Sequence, residues 1–345
     1  MSAGIDSSAA LGPRPLHRRA RAAAPRALET RVATRVVRRV NRLLQRLAGP
    51  VVLFRAGPLV FVRFGLFAAL GTFVGTSGMA LLLVAQGLTP GSFAALALAG
   101  GAAVVAGSWL LGQLLDWRLI LRRPAQALRR PVFVSWGGLF ALLAVIAAFG
   151  DLNGLRALLV IDALVRFGSL GHALGRIGCL SYGCCHGRPS AGPLAITYRD
   201  PESKAVRVAG LGGVPVHPAP VYEVILDLGI FAAVNAAALL GAPVGVPAAL
   251  FGILYAIGRF GIEFLRDNQG RMLAGRLSLN HLLCLALAVA SGALLHAATV
   301  SAFAAPAAAW PLAWAAGPAL LPISLWTAAL VFLGFSMHRG RVGAW

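Results

Sequence analysis

The sequence predicts an all-α, polytopic transmembrane helical bundle of about seven or eight spans, with a small irregular extramembrane segment. Three observations predict it. Hydrophobic residues make up 58% of the 345 and charged residues only 12%. Mean hydropathy is +0.78. No Asp, Glu, Lys or Arg occurs in 64–115, 228–258 or 277–338, and each stretch exceeds the roughly 20 residues a helix needs to cross a bilayer. Such runs are too long and too continuously apolar for barrel strands, so the backbone must satisfy itself within helices.

The elements follow in order. Residues 1–49 form a basic tail with arginine at 14, 18, 19, 21, 26, 31, 35, 38, 39, 42 and 46. Leu28, Val32, Val36, Val40, Leu43 and Leu47 recur there at helical spacing. Residues 26–48 therefore read either as an amphipathic helix lying on anionic membrane lipid or as a disordered, Arg- and Ala-rich leader. Much of the formal charge of +20 sits in this tail, which calls for no nucleic-acid partner. No small-residue cleavage site follows a short apolar core, so the tail does not read as a signal peptide.

Apolar segments follow at 59–85, 94–115, 132–150, 155–176, 219–240, 246–265, 278–299 and 313–336. Residues 50–299 make the main membrane domain, and 300–345 add a C-terminal span with a short basic tail. Between the fourth and fifth segments, Gly183 to Pro220 is rich in Gly and Pro and holds a β-like piece at 194–198. Non-helical backbone is tolerable where it lies at the interface or lines a cavity, so this segment reads as a lid or entry element. Lys/Arg bias places the tail, the 117–131 loop, the 175–217 segment and the C-terminal basic stretch together on the cytoplasmic side.

Charges inside apolar sequence mark the site. Asp162, Arg166, Ser169, Ala173 and Arg176 share one helix face, and Tyr255, Arg259, Glu263 and Arg266 share another. An ionisable group at bilayer depth is costly unless it faces the bundle interior or a water-filled cavity. The pairs Asp162 with Arg166 and Arg259 with Glu263 would neutralise each other at i,i+4 spacing. That leaves Arg176 and Arg266 to be explained. A guanidinium stays charged when desolvated and its planar fork matches phosphate oxygens, so the reading is a site for an anionic phospholipid head group.

Taken together, these residues resemble the prolipoprotein diacylglyceryl transferase family. Gly175-Arg176-Ile177-Gly178-Cys179, through Gly183-Cys184 to Gly187, looks like its glycine-arginine signature. His217-Pro218-Ala219-Pro220-Val221-Tyr222-Glu223 is similar to its His-Pro helix start, and Arg259-Phe260, Glu263-Phe264 and Arg266 match a third motif in register. Gly57-Pro58 with Gly65 resembles the entry to its first span. The similarity covers approximately residues 50–299.

The resemblance implies a multi-pass protein of the bacterial inner membrane whose site opens to the periplasmic side. It implies transfer of a diacylglyceryl group from phosphatidylglycerol to the cysteine thiol of a prolipoprotein, with the prolipoprotein signal peptide as a partner. Arg176 and Arg259 would be catalytic. Arg176, Arg259, Arg266, Gly175 and Gly178 would bind phospholipid, and Glu223, Glu263 and Tyr222 would orient them. The chain departs from the family pattern at Trp136, which stands for a histidine, at Cys179 and Cys184, which stand for asparagine and glutamate, and at Phe64, which stands for tyrosine.

In place of those groups stands Cys179-x4-Cys184-Cys185-His186. A thiolate nucleophile helped by His186, a redox pair and three zinc ligands are the functional readings. Small cysteines packing where helices approach closely is the structural one. The spacing fits no strong zinc pattern, so neither metal nor cofactor is expected. His186 is the nearest catalytic base by sequence. A lipid-binding thiol- or metal-dependent membrane enzyme with a different acceptor is the alternative, followed by an anion transporter, which the lack of an internal repeat disfavours.

Overall fold

The structure is a computed structural model that describes residues 31–128, 134–152, 156–267, 272–275, 277–304 and 309–343. Helix α1 (Arg31–Leu47) leads into a hairpin of β1 (Val52–Ala56) and β2 (Leu59–Val62), followed by α2 (Arg63–Ala85) and α3 (Pro90–Leu115). Two short helices, α4 (Trp117–Arg122) and α5 (Pro124–Leu128), precede α6 (Ser135–Leu152) and α7 (Ala157–Tyr182). The extramembrane segment carries β3 (Ile196–Thr197), α8 (Lys204–Arg207) and β4 (Pro215–Val216). Next come α9 (Ala219–Leu239), α10 (Val246–Glu263), the pair β5 (Met272–Ala274) and β6 (Leu277–Ser278), and α11 (Leu279–Ser301). The chain closes with α12 (Trp310–Ala315), α13 (Gly317–Ser336) and β7 (Met337–Arg339).

Among the described residues, α2, α3, α7, α9, α10, α11 and α13 are long and apolar enough to cross a membrane, and α6 holds a shorter apolar run at 136–150. The chain is a multi-pass helical membrane protein. All eight apolar segments become helices, the first after opening on β2, and α6 runs over 18 residues, as α10 does.

Helix α7 is the central element, packed against α2 on one side and α9 on the other; α10 bridges α9 and α11, and α13 lies on α2. Lipid tails supply no hydrophobic drive between helices, so small residues that let backbones approach carry the packing. Gly71 of α2 sits against the Gly171 carbonyl of α7, where a Cβ would collide with backbone. Gly65 likewise faces Ser336 of α13, whose hydroxyl donates to the Val62 carbonyl at 2.8 Å. Fully buried Leu83, Ile146 and Val160 join α2, α6 and α7 in the largest apolar core.

One end of the bundle gathers the remaining parts. Leu44 and Ala48 pack with Leu180, Ile196, Tyr198 and Val216 in a second core. Asn41 donates to the Ala195 carbonyl at 2.9 Å, and the Val51 amide to Asp200 at 2.7 Å. Described from residue 31, the tail is therefore a helix docked on the extramembrane segment. Val40 and Leu43 stay exposed, so its apolar stripe is divided between protein and surroundings. The part of the tail expectation that concerns 1–30, and the loop arginines at 129 and 130, lie outside the described residues. Strand β7 pairs antiparallel with β2, which ties the C-terminal span into the fold although it lies beyond the family resemblance.

Candidate active site

Three polar rungs join α7 to α9. Arg166 Nε donates to Asn235 at 2.9 Å, His172 Nδ1 lies 2.8 Å from Asp227, and Arg176 Nη2 lies 2.7 Å from Glu223. Each step along α7 is matched by an opposite step along α9, which is the register of antiparallel helices. His172 and Arg176, like Glu223 and Asp227, are i,i+4 neighbours and share a face one turn apart.

Glu223 is completely buried and binds a second cation, Arg266, at 2.9 Å. Arg259 meets Glu263 at 2.6 Å, and Glu263 also accepts from Ser278 at 3.1 Å and Asn280 at 2.9 Å. Arg266 Nε lies 3.9 Å from Glu263, which joins both carboxylates in one network. Buried charges persist only when paired and hydrogen-bonded, and here α7, α9 and the end of α10 each contribute. Arg176 from one predicted stripe and Arg259, Glu263 and Arg266 from the other thus come together around Glu223 of α9.

The cysteine segment is aimed by backbone geometry. Helix α7 ends at Gly183, with φ of 72° and its amide bonded to the Cys179 carbonyl, a left-handed C-terminal turn that glycine takes without steric cost. The chain then folds back over the helix end. Cys185 adopts φ of 59°, a conformation costing a residue with a Cβ on the order of 1–3 kcal/mol. The segment is pinned by Gly187 N–H to His217 O at 3.0 Å and Arg188 N–H to Leu265 O at 2.8 Å.

The three sulfurs of Cys179, Cys184 and Cys185 lie within 4.8 Å of one another. Arg176 Nη1 is 3.9 Å from Cys179 Sγ and 3.8 Å from Cys185 Sγ. Hydrogen bonds from the Cys179 and Cys184 thiols, then the charges of Arg266 and Arg176, hold the Cys185 thiol well below the usual thiol range. Cys184 is pushed up, because the same sulfur contacts favour its protonated form. A soft cation is the chemistry such a trio would accept.

The other predicted residues are placed as follows. His186 is 3% exposed, with Nδ1 3.4 Å from the Gly187 carbonyl and 4.0 Å from Asp267. Tyr222 meets His217 at 3.1 Å and makes no described hydrogen bond to the arginines. Gly178 admits Phe64 of α2, whose carbonyl lies 3.0 Å from a would-be Cβ, whereas Gly175 faces open space. Asp162 does not pair with Arg166 by hydrogen bonding: it accepts from the amides of Gly245 at 2.7 Å and Ala248 at 2.9 Å, capping α10. Arg166, ten residues before Arg176, sits about 15 Å away along the axis on its own rung.

Sequence reasoning passed over His172, Asp227, Ser278 and Asn280. The first two carried a usable signal, because Asp227 is four residues after Glu223 and His172 four before Arg176, within the same apolar helices. Ser278 and Asn280 carried none, since their roles depend on how α11 meets α10.

Residues 51–297 match the family described as prolipoprotein diacylglyceryl transferase. The chain is 33% identical over 155 residues to a phosphatidylglycerol–prolipoprotein diacylglyceryl transferase of Nitratidesulfovibrio vulgaris, covering 44% of this chain and 55% of that protein. It is 29% identical over 173 residues to phosphatidylglycerol–prolipoprotein diacylglyceryl transferase 2 of Clostridium perfringens, covering 48% and 62%. The match thus spans little more than half the length of these curated relatives. With the Bordetella bronchiseptica enzyme of the same description it is 28% identical over 261 residues, 71% of this chain and 91% of that one. With more than half of its length matched, the chain belongs to the prolipoprotein diacylglyceryl transferase family.

Proposed function

We propose that the protein transfers a diacylglyceryl group from phosphatidylglycerol, or a similar anionic phospholipid, to the cysteine thiol of a prolipoprotein, releasing glycerol phosphate. The observation that carries this reading is Arg176 Nε, a buried donor with no hydrogen-bond partner among the described residues. Buried polar groups are rarely left unpaired. The rest of this guanidinium is fixed by Glu223 and the sulfurs, so Nε is the edge left for a phosphate oxygen.

In this reading Arg176, Arg259 and Arg266 receive the phosphodiester and offset the charge that grows on the leaving phosphate. Stabilisation of that kind comes from donors fixed before the reaction in a site poor in water. Glu223 and Glu263 hold the guanidinium planes. Gly175, beside open space, leaves room for the head group. The prolipoprotein signal peptide enters along the bundle, the exposed Val40 and Leu43 of α1 rest with its arginines on anionic lipid, and the protein resides in the bacterial inner membrane.

The test is rescue of a strain depleted of its own diacylglyceryl transferase, with expression and membrane insertion verified, backed by a purified assay with phosphatidylglycerol. Rescue and thioether product are expected. A well-inserted protein that neither rescues nor forms product would overturn the reading.

A further inference from the structure

We propose that the His172–Asp227 pair is the base that removes the proton from the acceptor thiol. The inference rests on the transferase reading above. Transfer to a thiol needs a proton acceptor, and the arginine network offers none, because guanidinium groups only donate and both carboxylates are tied to arginines.

The described histidines can be compared on geometry. His186, His281 and His338 are almost fully buried. His217 is engaged with Tyr222. His296 lies on α11, outside the arginine network. His172 alone among them combines three features. Its Nδ1 is 2.8 Å from a carboxylate oxygen of Asp227, its side chain is 40% exposed while that of Asp227 is 1% exposed, and it lies one turn, about 6 Å along the axis, from Arg176.

A buried aspartate that accepts from Nδ1–H fixes the tautomer and leaves the lone pair on Nε2. It also stabilises the imidazolium that forms. The charged and titratable neighbours of this ring are few. From α9 come Asp227 and, a turn away, Glu223; from α7 comes Arg176. Tyr255 of α10 sets its ring 6.1 Å from the imidazole and lies in the field of Arg176, Glu223, Arg259 and Asp227. Helix α2, packed on the other side of α7, has no titratable side chain beyond Arg63.

The step balances without an oxidant or reductant. Nε2 of His172 takes the thiol proton, and the sulfur forms a bond to the terminal glyceryl carbon of the lipid. The bond from that carbon to the phosphate oxygen breaks, and its electron pair leaves with glycerol phosphate beside Arg176. The imidazolium then gives its proton to water.

The experiment measures kcat and KM against pH for the full-length protein in detergent or nanodiscs, with phosphatidylglycerol and a lipobox-cysteine peptide. His172→Ala is expected to lower kcat by about 100- to 10,000-fold with KM for lipid little changed, and to regain rate as pH approaches the thiol's own ionisation, about 8.5. Asp227→Asn removes the carboxylate that orients the ring, so kcat falls while KM for lipid stays near the wild-type value. Added imidazole rescues His172→Ala but not Arg176→Ala. Should His172→Ala misfold, His172→Gln and the kcat-against-KM split of Asp227→Asn carry the same test. Native kcat in both variants overturns the base, as does failure of imidazole to restore His172→Ala, or a kcat lost in His186→Ala but kept in His172→Ala. Failure of the wild type to transfer at any pH overturns the transferase reading and the base with it.

Discussion

The carboxylate of Glu223 lies 2.7 Å from Arg176 Nη2, and that side chain has no exposed surface. This pair couples α7 to α9 at the point where the cysteine segment turns back, so helix packing, charge balance and the head-group site depend on one contact. The second oxygen of Glu223 goes to Arg266, so its loss leaves Arg176 without a carboxylate and Arg266 with only the longer 3.9 Å approach of Glu263.

Glu223→Ala is therefore expected to cost about 3–5 kcal/mol, the range for breaking a buried ion pair from one side. Glu223→Gln keeps the volume and should lose less stability yet still lose most turnover, because the guanidinium planes are no longer fixed. Thermal unfolding in detergent alongside the transfer assay separates the two. A Gln variant with native turnover would show that the carboxylate does not position Arg176.

Asp162→Ala removes the acceptor of the Gly245 and Ala248 amides. Loss of a helix cap typically costs about 0.5–2 kcal/mol, and turnover should stay near the wild-type value because the residue lies far along α7 from Arg176. A collapse of turnover at unchanged stability would return Asp162 to the site.

Cys185 should alkylate faster than Cys184 in reduced, chelator-treated protein. Its folded ionisation is shifted down by the neighbouring thiols and by Arg266 and Arg176, so its thiolate persists as pH falls below the ordinary thiol range, while Cys184 stays protonated there. Peptide mapping after brief iodoacetamide treatment across pH reads both rates. Arg266→Gln should move the Cys185 profile to higher pH. Equal rates for the two cysteines at every pH would contradict the sulfur arrangement.

The spans were legible because charge-free runs longer than a bilayer admit few alternatives. Arg176, Arg259, Glu263 and Arg266 were legible for the complementary reason, that an ion in apolar sequence demands a partner, whereas Glu223 entered only through the His-Pro motif of the family resemblance. What sequence could not say was which partner. Spacing joined Asp162 to Arg166, and the two charges do interact, but the Asp162 oxygens are taken by the two amides that the α9–α10 turn brings to them. Spacing also pointed to His186, next to the cysteines, yet the fold-back after Gly183 buries that ring. His172 and Asp227 were within reach of the same argument that found the arginines. Only the antiparallel register of α7 and α9 shows them as one pair.

Arg176→Ala should reduce kcat by about 100- to 1,000-fold, the usual effect of removing one fixed donor from a developing anion. Arg176→Lys should recover little, since a point charge cannot span Glu223, the sulfurs and a phosphate oxygen together. Thermal-stability controls should show a folded bundle in both variants.

The most direct test of the account is a single-turnover assay with purified protein, phosphatidylglycerol labelled in its glycerol head group and a lipobox-cysteine peptide. The expected result is glycerol phosphate released one for one with thioether-linked peptide by the wild type, and the same products formed about 100- to 1,000-fold more slowly by folded Arg176→Ala. Equal rates from both proteins, or no product from a folded and correctly inserted wild type, would contradict it.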